Sequence, residues 1–276
     1  RRERCAPRTK HEDKLSFTCY SPDALHTIKK LWNARHPDNI ITSNDSEIIW
    51  NTLKKNMNNT CERESCWLRQ HFIRTGLEPE LLNYTFAPTT PLEWKDNPNT
   101  WLSSLDLTAV MKQFEYAYPC FEFLGPSPID YDTPKSREQC VWDELCKFHL
   151  REQLEKGKNK IGIIFNLDEH YKPGSHWVAV FIDCKRGMIY YFDSYGDIVP
   201  TQILKFVRIV QEQSSKFSKR YDFHMTKTRH QYENSECGMY CLYFIINMLK
   251  GKPITFFENN KIPDREMEKL RKKLFN

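Results

Sequence analysis

From Met239 to Leu249 the chain reads Met-Tyr-Cys-Leu-Tyr-Phe-Ile-Ile-Asn-Met-Leu, apolar on every side of a helix. A helix of that kind must be buried on all sides, and this one is too short to cross a bilayer. It therefore predicts a core helix with other layers wrapped around it, closed by Gly251 and Pro253. Directly before it stands Gln231-Tyr232-Glu233-Asn234-Ser235-Glu236-Cys237-Gly238, a polar turn that delivers a cysteine to the helix start. Helix N-termini carry partial positive charge and unpaired N–H groups. Such a place favours thiolate over thiol, and thiolate is the nucleophile. A rim thiol at Cys237 is the expectation, with Cys241 one turn deeper in the core.

A second cluster lies upstream. Gly174-Ser175-His176-Trp177 leads into a strand ending at Asp183, and Met188–Phe192 reads as a second strand ending at Asp193. Gly187 offers the hairpin turn between them. In a tight hairpin the end of the second strand returns beside the start of the first. That places Asp193 near His176 and leaves Asp183 by the turn. Asp197, beyond Gly196, is less constrained. Asp193 is thus the acid expected to accept the imidazole N–H, fixing its tautomer and stabilising the imidazolium. Taken alone, Asp193 would read as a turn residue and His176 as a strand-start histidine. Cysteine, histidine and acid together are the parts of a thiol protease. Gln231, six positions before Cys237, can bring a side-chain amide beside the Cys237 N–H, and the two would donate to the oxyanion of acyl transfer.

The order His176-Trp177, Asp193, Gln231, Cys237-Gly238 resembles the clan of SUMO-specific and adenovirus-type cysteine proteases (clan CE), the reverse of the papain order. Within it, the segments Asn166…Gly174-Ser175-His176-Trp177-Val178-Ala179-Val180-Phe181-Ile182-Asp183 and Arg229-His230-Gln231…Glu236-Cys237-Gly238 are similar to the polyprotein maturation proteases of large nucleocytoplasmic DNA viruses, the African swine fever virus type included. The likeness is specific over about residues 160–250. Some viral relatives carry Asn as the third residue, where this chain has Asp193.

The resemblance implies an α+β fold: a central mixed sheet flanked by helices, the nucleophile at a helix N-terminus, and a helical N-terminal accessory domain. It also implies that Trp177 roofs a narrow channel admitting only glycine-like backbone, hence cleavage after Gly-Gly or Gly-Ala. The substrate would be a viral structural polyprotein, cut during virion maturation in the host cytoplasm at assembly sites and in the virion. Removal of SUMO or ubiquitin is the alternative within the same chemistry. A catalytically inert binding module is the alternative outside it, and the intact set of four residues argues against that.

Along the chain, residues 20–85 read as helical. Ser21-Pro22-Asp23 is a start signal, and further helices are expected at Ser46–Met57 and Glu64–Ile73. The Pro-rich stretch from Pro88 to Pro98 reads as a linker, so that residues 1–99 form an accessory domain and 100–276 the catalytic domain. Beyond it the expectation is a helix at Ser104–Tyr116, loops at 119–134, and a helix at Glu138–Glu155. Strands at Ile161–Asn166, His176–Asp183 and Met188–Phe192 follow. Then come a helix at Thr201–Phe217, a strand at Tyr221–Thr228 and the nucleophile helix.

Charged residues make up 28% of the chain and its mean hydropathy is −0.69, which excludes an integral membrane protein of the helical kind. No signal peptide is read at the start. The ten cysteines sit mostly beside bulky apolar residues, Cys146 near Phe148 and Cys241 beside Leu242, as reduced buried thiols do. The expectation is a reducing compartment, with the sequons at Asn44, Asn58 and Asn83 as chance matches. Cys61 and Cys66, with His71, are spaced more loosely than a zinc knuckle and have no second pair. Two thiols at a helix start fit better, and no metal or cofactor is expected. Net charge is +5, with Arg1, Arg2, Arg4, Arg8, Lys10 and Lys14 crowding one end and a basic-leaning helix over Lys261–Lys273 at the other. Such tails suit weak nucleic-acid contact at most and are more often solvated faces. The chain is expected to act as a monomer.

Overall fold

Helix α1 (Pro22–Arg35) starts at its sequence signal: the Ser21 hydroxyl accepts from the Ala24 N–H at 3.1 Å, and Pro22 needs no partner in the first turn. In the same way Asp45 caps α2 (Ser46–Met57) by accepting from the Ile48 N–H. In this computed structural model, which describes residues 2–8 and 14–276, the chain divides into two units. One runs to Thr90 and includes Lys273–Asn276, and the other is Pro91–Lys272. The boundary between these compact units stands between Thr90 and Pro91, and the last four residues join the first unit. Arg1 and Lys10 of the basic tail fall outside the described residues.

The first unit has its own core. Leu25, Ile28 and Trp32 of α1 meet Ile49 and Leu53 of α2, with Tyr20 stacked on Trp67 at 5.6 Å. The helix expected over 64–73 is instead a 3₁₀ segment, Glu64–Arg69, and a short α3 (His71–Arg74), because Gln70 between them is extended. A further short helix, α4 (Pro79–Tyr84), follows. Arg4, counted above as a tail cation, donates from its backbone N–H to Asn276 and from its guanidinium to the Phe275 carbonyl.

The second unit holds α5 (Ser104–Ala117), β1 (Phe121–Pro128), α6 (Asp143–Cys146), α7 (Leu150–Glu155), β2 (Lys160–Asn166), β3 (Trp177–Asp183), β4 (Met188–Phe192), α8 (Thr201–Ser215), β5 (Asp222–Met225), α9 (Cys237–Leu249), α10 (Thr255–Asn259) and α11 (Asp264–Leu274). The sheet order is β1-β2-β3-β4-β5, with the outer pairs parallel and the inner two antiparallel. This is the mixed sheet of an α+β fold. Every residue of β3 is buried, so both of its faces are covered. On one face Ile163, Val180 and Tyr191 meet Phe206 and Val210 of α8. On the other lies α9, where Phe244 stacks on Phe192 at 4.6 Å. Gly162 is required there, since a Cβ would stand 3.0 Å from Ile245 and from Phe121.

Three further expectations change. Residues 119–134 contain a strand, β1, despite Pro126 and Pro128. The strand lies at the sheet edge, and its register shifts between Leu124 and Ser127, as edge strands with proline do. The single helix expected over 138–155 is two short ones, because the chain around Pro134 and Cys140 folds back in a bridge and Cys140 is bonded to Cys146. The third concerns the cysteines. Cys5–Cys19, Cys61–Cys66 and Cys140–Cys146 are disulfides, so six of the ten are not reduced thiols. Cys19 and Cys61 are buried, Cys66, Cys140 and Cys146 half-buried and Cys5 exposed, so neither burial nor neighbour composition separates bonded from free sulfur here.

Candidate active site

The hairpin works as its sequence demands. Gly187 takes φ 66° at the turn, Ala179 pairs with Phe192, and Asp193 therefore returns beside the start of β3. His176 Nε2 lies 2.7 Å from Asp193 Oδ1. Asp183 instead accepts from the Arg186 N–H at the turn, and Asp197 is exposed in the following loop. The approach to His176 is set by Asn166 at the end of β2. Its Oδ1 accepts from Ser175 N and Asp168 N, while Gly174, at φ 104°, has its Cα against the Asn166 amide, where a Cβ would crowd in at 3.0 Å.

With Nε2 donating to Asp193, the other ring nitrogen of His176 is left for the thiol of Cys237, which is among the groups that raise the imidazole. Burial alone would push the imidazole down. The hydrogen bonds and negative partners Asp193 and Cys237 outweigh it and raise the group to about 9. Cys237 is the first residue of α9, as the turn-to-helix pattern required, but it is 1% exposed and not on a rim. Cys241, one turn on, is driven well above the ordinary thiol range by burial and by the charges of Cys237 and Asp193.

Gln231 is fully buried. Its Oε1 accepts from the Ser194 hydroxyl at 2.6 Å and one Nε2 hydrogen goes to the Glu233 carbonyl at 2.7 Å, leaving one N–H uncommitted by these bonds. Trp177 donates from Nε1 to the Leu102 carbonyl at 3.0 Å. Its indole and Leu102 close over Gly238, where a Cβ would come within 3.3 Å of Trp177 and 3.0 Å of Leu102. A side chain at Gly238 would force the Cys237 end of α9 away from this wall. Trp177 also borders a cleft of about 850 Å³ shared with Trp101, Leu105, Trp142, Asn166 and Gly174.

Sequence reasoning passed over several neighbours. Tyr195 stacks on His176 and donates its N–H to Asp193; Ser194 holds Gln231; Trp101 and Leu102 supply the cleft wall. Ser194 and Tyr195 follow the acid directly, and that adjacency was the available signal. Cys61 and Cys66, considered for zinc with His71, are bonded to each other. Cys140, Asp143 and Cys146 cluster within 4.8 Å, but there too the sulfurs are joined and offer no thiolate.

A buried thiol, an imidazole raised by a carboxylate and a helix N-terminus, brought together on a mixed sheet, are the parts that cysteine peptidase chemistry needs. The chain belongs to the Ulp1 protease family: the profile of that family's C-terminal catalytic domain matches residues 104–276. It is a cysteine peptidase. A protein of Acanthamoeba polyphaga mimivirus, named as a thiol protease, is 29% identical over 291 residues, covering 98% of this chain and 92% of the relative. A cysteine protease of African swine fever virus is 25% identical over 251 residues, 86% of this chain and 91% of its own. The crystal structure of an African swine fever virus protease aligns with a TM-score of 0.69 at 22% identity, over 99% of this chain and 95% of that one, which establishes the shared fold.

Proposed function

We propose that the chain is an endopeptidase that cuts a viral structural polyprotein after Gly-Gly or Gly-Ala during particle maturation. The observation that carries the substrate class is the closure of Trp177 and Leu102 over Gly238, beside the nucleophile. On this reading the Trp177 indole, which borders the cleft, limits the room for side chains next to the scissile bond. Viral relatives similar along nearly the whole chain favour a viral polyprotein.

In the mechanism this reading implies, Cys237 Sγ attacks the carbonyl as thiolate, with its proton held on His176 and Asp193 fixing the ring. Charge on the carbonyl oxygen is met by the Cys237 N–H and the free N–H of Gln231. The C–N bond breaks as His176 gives its proton to the leaving amine. Water, deprotonated by His176, then releases the acid from the thioester. Of the two expected settings, the particle suits three disulfides better than the reducing host cytoplasm.

The test is a panel: a Gly-Gly-containing core polyprotein, the same protein with Gly-Gly replaced by Ala-Leu, and SUMO and ubiquitin fusions. Cleavage of the first alone is the expected result. Preference for the fusions would make the chain a deconjugase, and equal cleavage of the Ala-Leu substrate would remove the Trp177 wall from the argument.

A further inference from the structure

The segment between Gln231 and Glu236 joins the two groups that face the oxyanion, yet it has no helix or strand of its own. What holds it is α11. At the first residue of that helix, Asp264 Oδ2 accepts from the backbone N–H groups of Tyr232 (3.0 Å) and Glu233 (3.2 Å). The carbonyl of Glu233 in turn accepts from Gln231 Nε2. The peptide that orients the Gln231 amide is therefore anchored on Asp264.

Seven residues later, about 10 Å along the helix, Arg271 takes the other end. Its Nε stands 2.9 Å from both carboxylate oxygens of Glu236, and Nη2 donates to the Ser235 carbonyl at 3.4 Å. Glu236 is 1% exposed and Arg271 4%, and the guanidinium rests on the Trp94 ring at 4.6 Å. Burial pushes the Glu236 carboxyl up and Arg271 draws it back. A carboxylate so enclosed is fixed in place by its partner, because any other position leaves it unpaired and dry. Glu236 is the residue from which α9 starts, so this pair sets where the Cys237 N–H points.

The geometry points to α11 as the element that positions both oxyanion donors, one from each end: Asp264 for the Gln231 amide and Arg271 for the Cys237 N–H. This rests on the proposed reading of those two groups as oxyanion donors. Asp264 and Arg271 touch no substrate and act as positioning residues. An oxyanion donor contributes about 10²–10³ in kcat when present and aligned, so a loosened one should forfeit part of that.

The experiment uses the full chain with Asp264→Ala, Asp264→Asn, Arg271→Met and, as control, Lys269→Ala on the exposed side of α11, where Lys269 pairs with Glu266. Rates are expressed per active site titrated with a peptide alkylator, which separates misalignment from loss of folded enzyme. Asp264→Ala and Arg271→Met should lower kcat per site about 10- to 100-fold with KM within about twofold. Asp264→Asn, which keeps an acceptor oxygen, should recover most of the rate, and Lys269→Ala should match wild type. Unchanged kcat per titrated site in both Asp264→Ala and Arg271→Met, with only the folded fraction reduced, would overturn the inference. Hydrogen exchange of amides 232–237 is read in parallel and needs no substrate. Protection should fall at least about tenfold in those two variants, and unchanged protection would overturn the clamp even if wild-type enzyme cleaved no Gly-Gly substrate. That last failure would instead count against the proposed function.

Discussion

The ring of Tyr195 lies almost flat on the imidazole of His176, with centroids 4.6 Å apart and planes 20° from parallel. A phenol face stabilises a cation over it, and ring stacks of this sort contribute about 0.5–1.5 kcal/mol. Tyr195 thus holds the His176 ring on the side that Asp193 does not. Tyr195→Phe should keep nearly full activity, while Tyr195→Ala should lower kcat about tenfold, the equivalent of about 1.4 kcal/mol. Equal losses in both variants would assign the effect to the hydroxyl, which donates to the Glu233 carbonyl at 3.3 Å.

pH should act on stability from two sides. His176 is raised from 6.5 to about 9, so its contribution is fully present below about 6.5 and is lost as pH climbs through 9. With the side chain only 11% exposed, the stake is about 3 kcal/mol at most. His230 is lowered to about 4, chiefly by burial, so the unfolded chain takes up its proton first and stability falls as pH drops from 6.5 toward 4. Melting temperature against pH should show both slopes, and His176→Ala should flatten the alkaline one alone. The alkaline limb of kcat/KM should lie near 9 and move to lower pH in Asp193→Asn.

Cys237 and Cys241 make an internal comparison. Both are 1% exposed, but Cys241 is held in its neutral form by burial, while Cys237 has the helix N-terminus and His176 as partners. Cys237→Ala should abolish hydrolysis and leave the fold standing. Mass spectrometry after brief treatment with a small alkylator at neutral pH should find label on Cys237 well before Cys241. The reverse order would exclude Cys237 as the nucleophile.

Gln231→Ala should lower kcat by roughly two orders of magnitude, a loss of about 3 kcal/mol. Because the amide also anchors Ser194 and Glu233, Gln231→Glu is the sharper variant: it keeps the acceptor for Ser194 and removes the donor. A raised KM with normal kcat would make Gln231 a binding residue.

How much of this was legible in the sequence follows periodicity and distance along the chain. His176 and Asp193 lie 17 positions apart, and the hairpin that joins them is written in alternation and Gly187. Likewise α1, α2 and α9 carry their own caps or apolar faces. What was missed depends on contacts made far along the chain: Arg271 on Glu236 is 35 positions away and Trp177 on Leu102 is 75. β1 was hidden by prolines that only an edge position tolerates. The disulfides were hidden because a cysteine's neighbours look alike whether its sulfur is bonded or free.

The cysteines also divide the molecule in a way that governs how it is handled. All four in the first unit are tied in pairs, whereas Cys120, Cys184, Cys237 and Cys241 in the second are free. A reductant added to rescue an oxidised Cys237 would also meet the half-buried Cys140–Cys146 disulfide, whose neighbours Val141 and Trp142 border the cleft. Assay potency will therefore track the reductant in the tube along two opposed axes, reviving the thiol while loosening the wall. A weak monothiol at low concentration, rather than excess dithiol, is the medium in which this enzyme should be compared between laboratories.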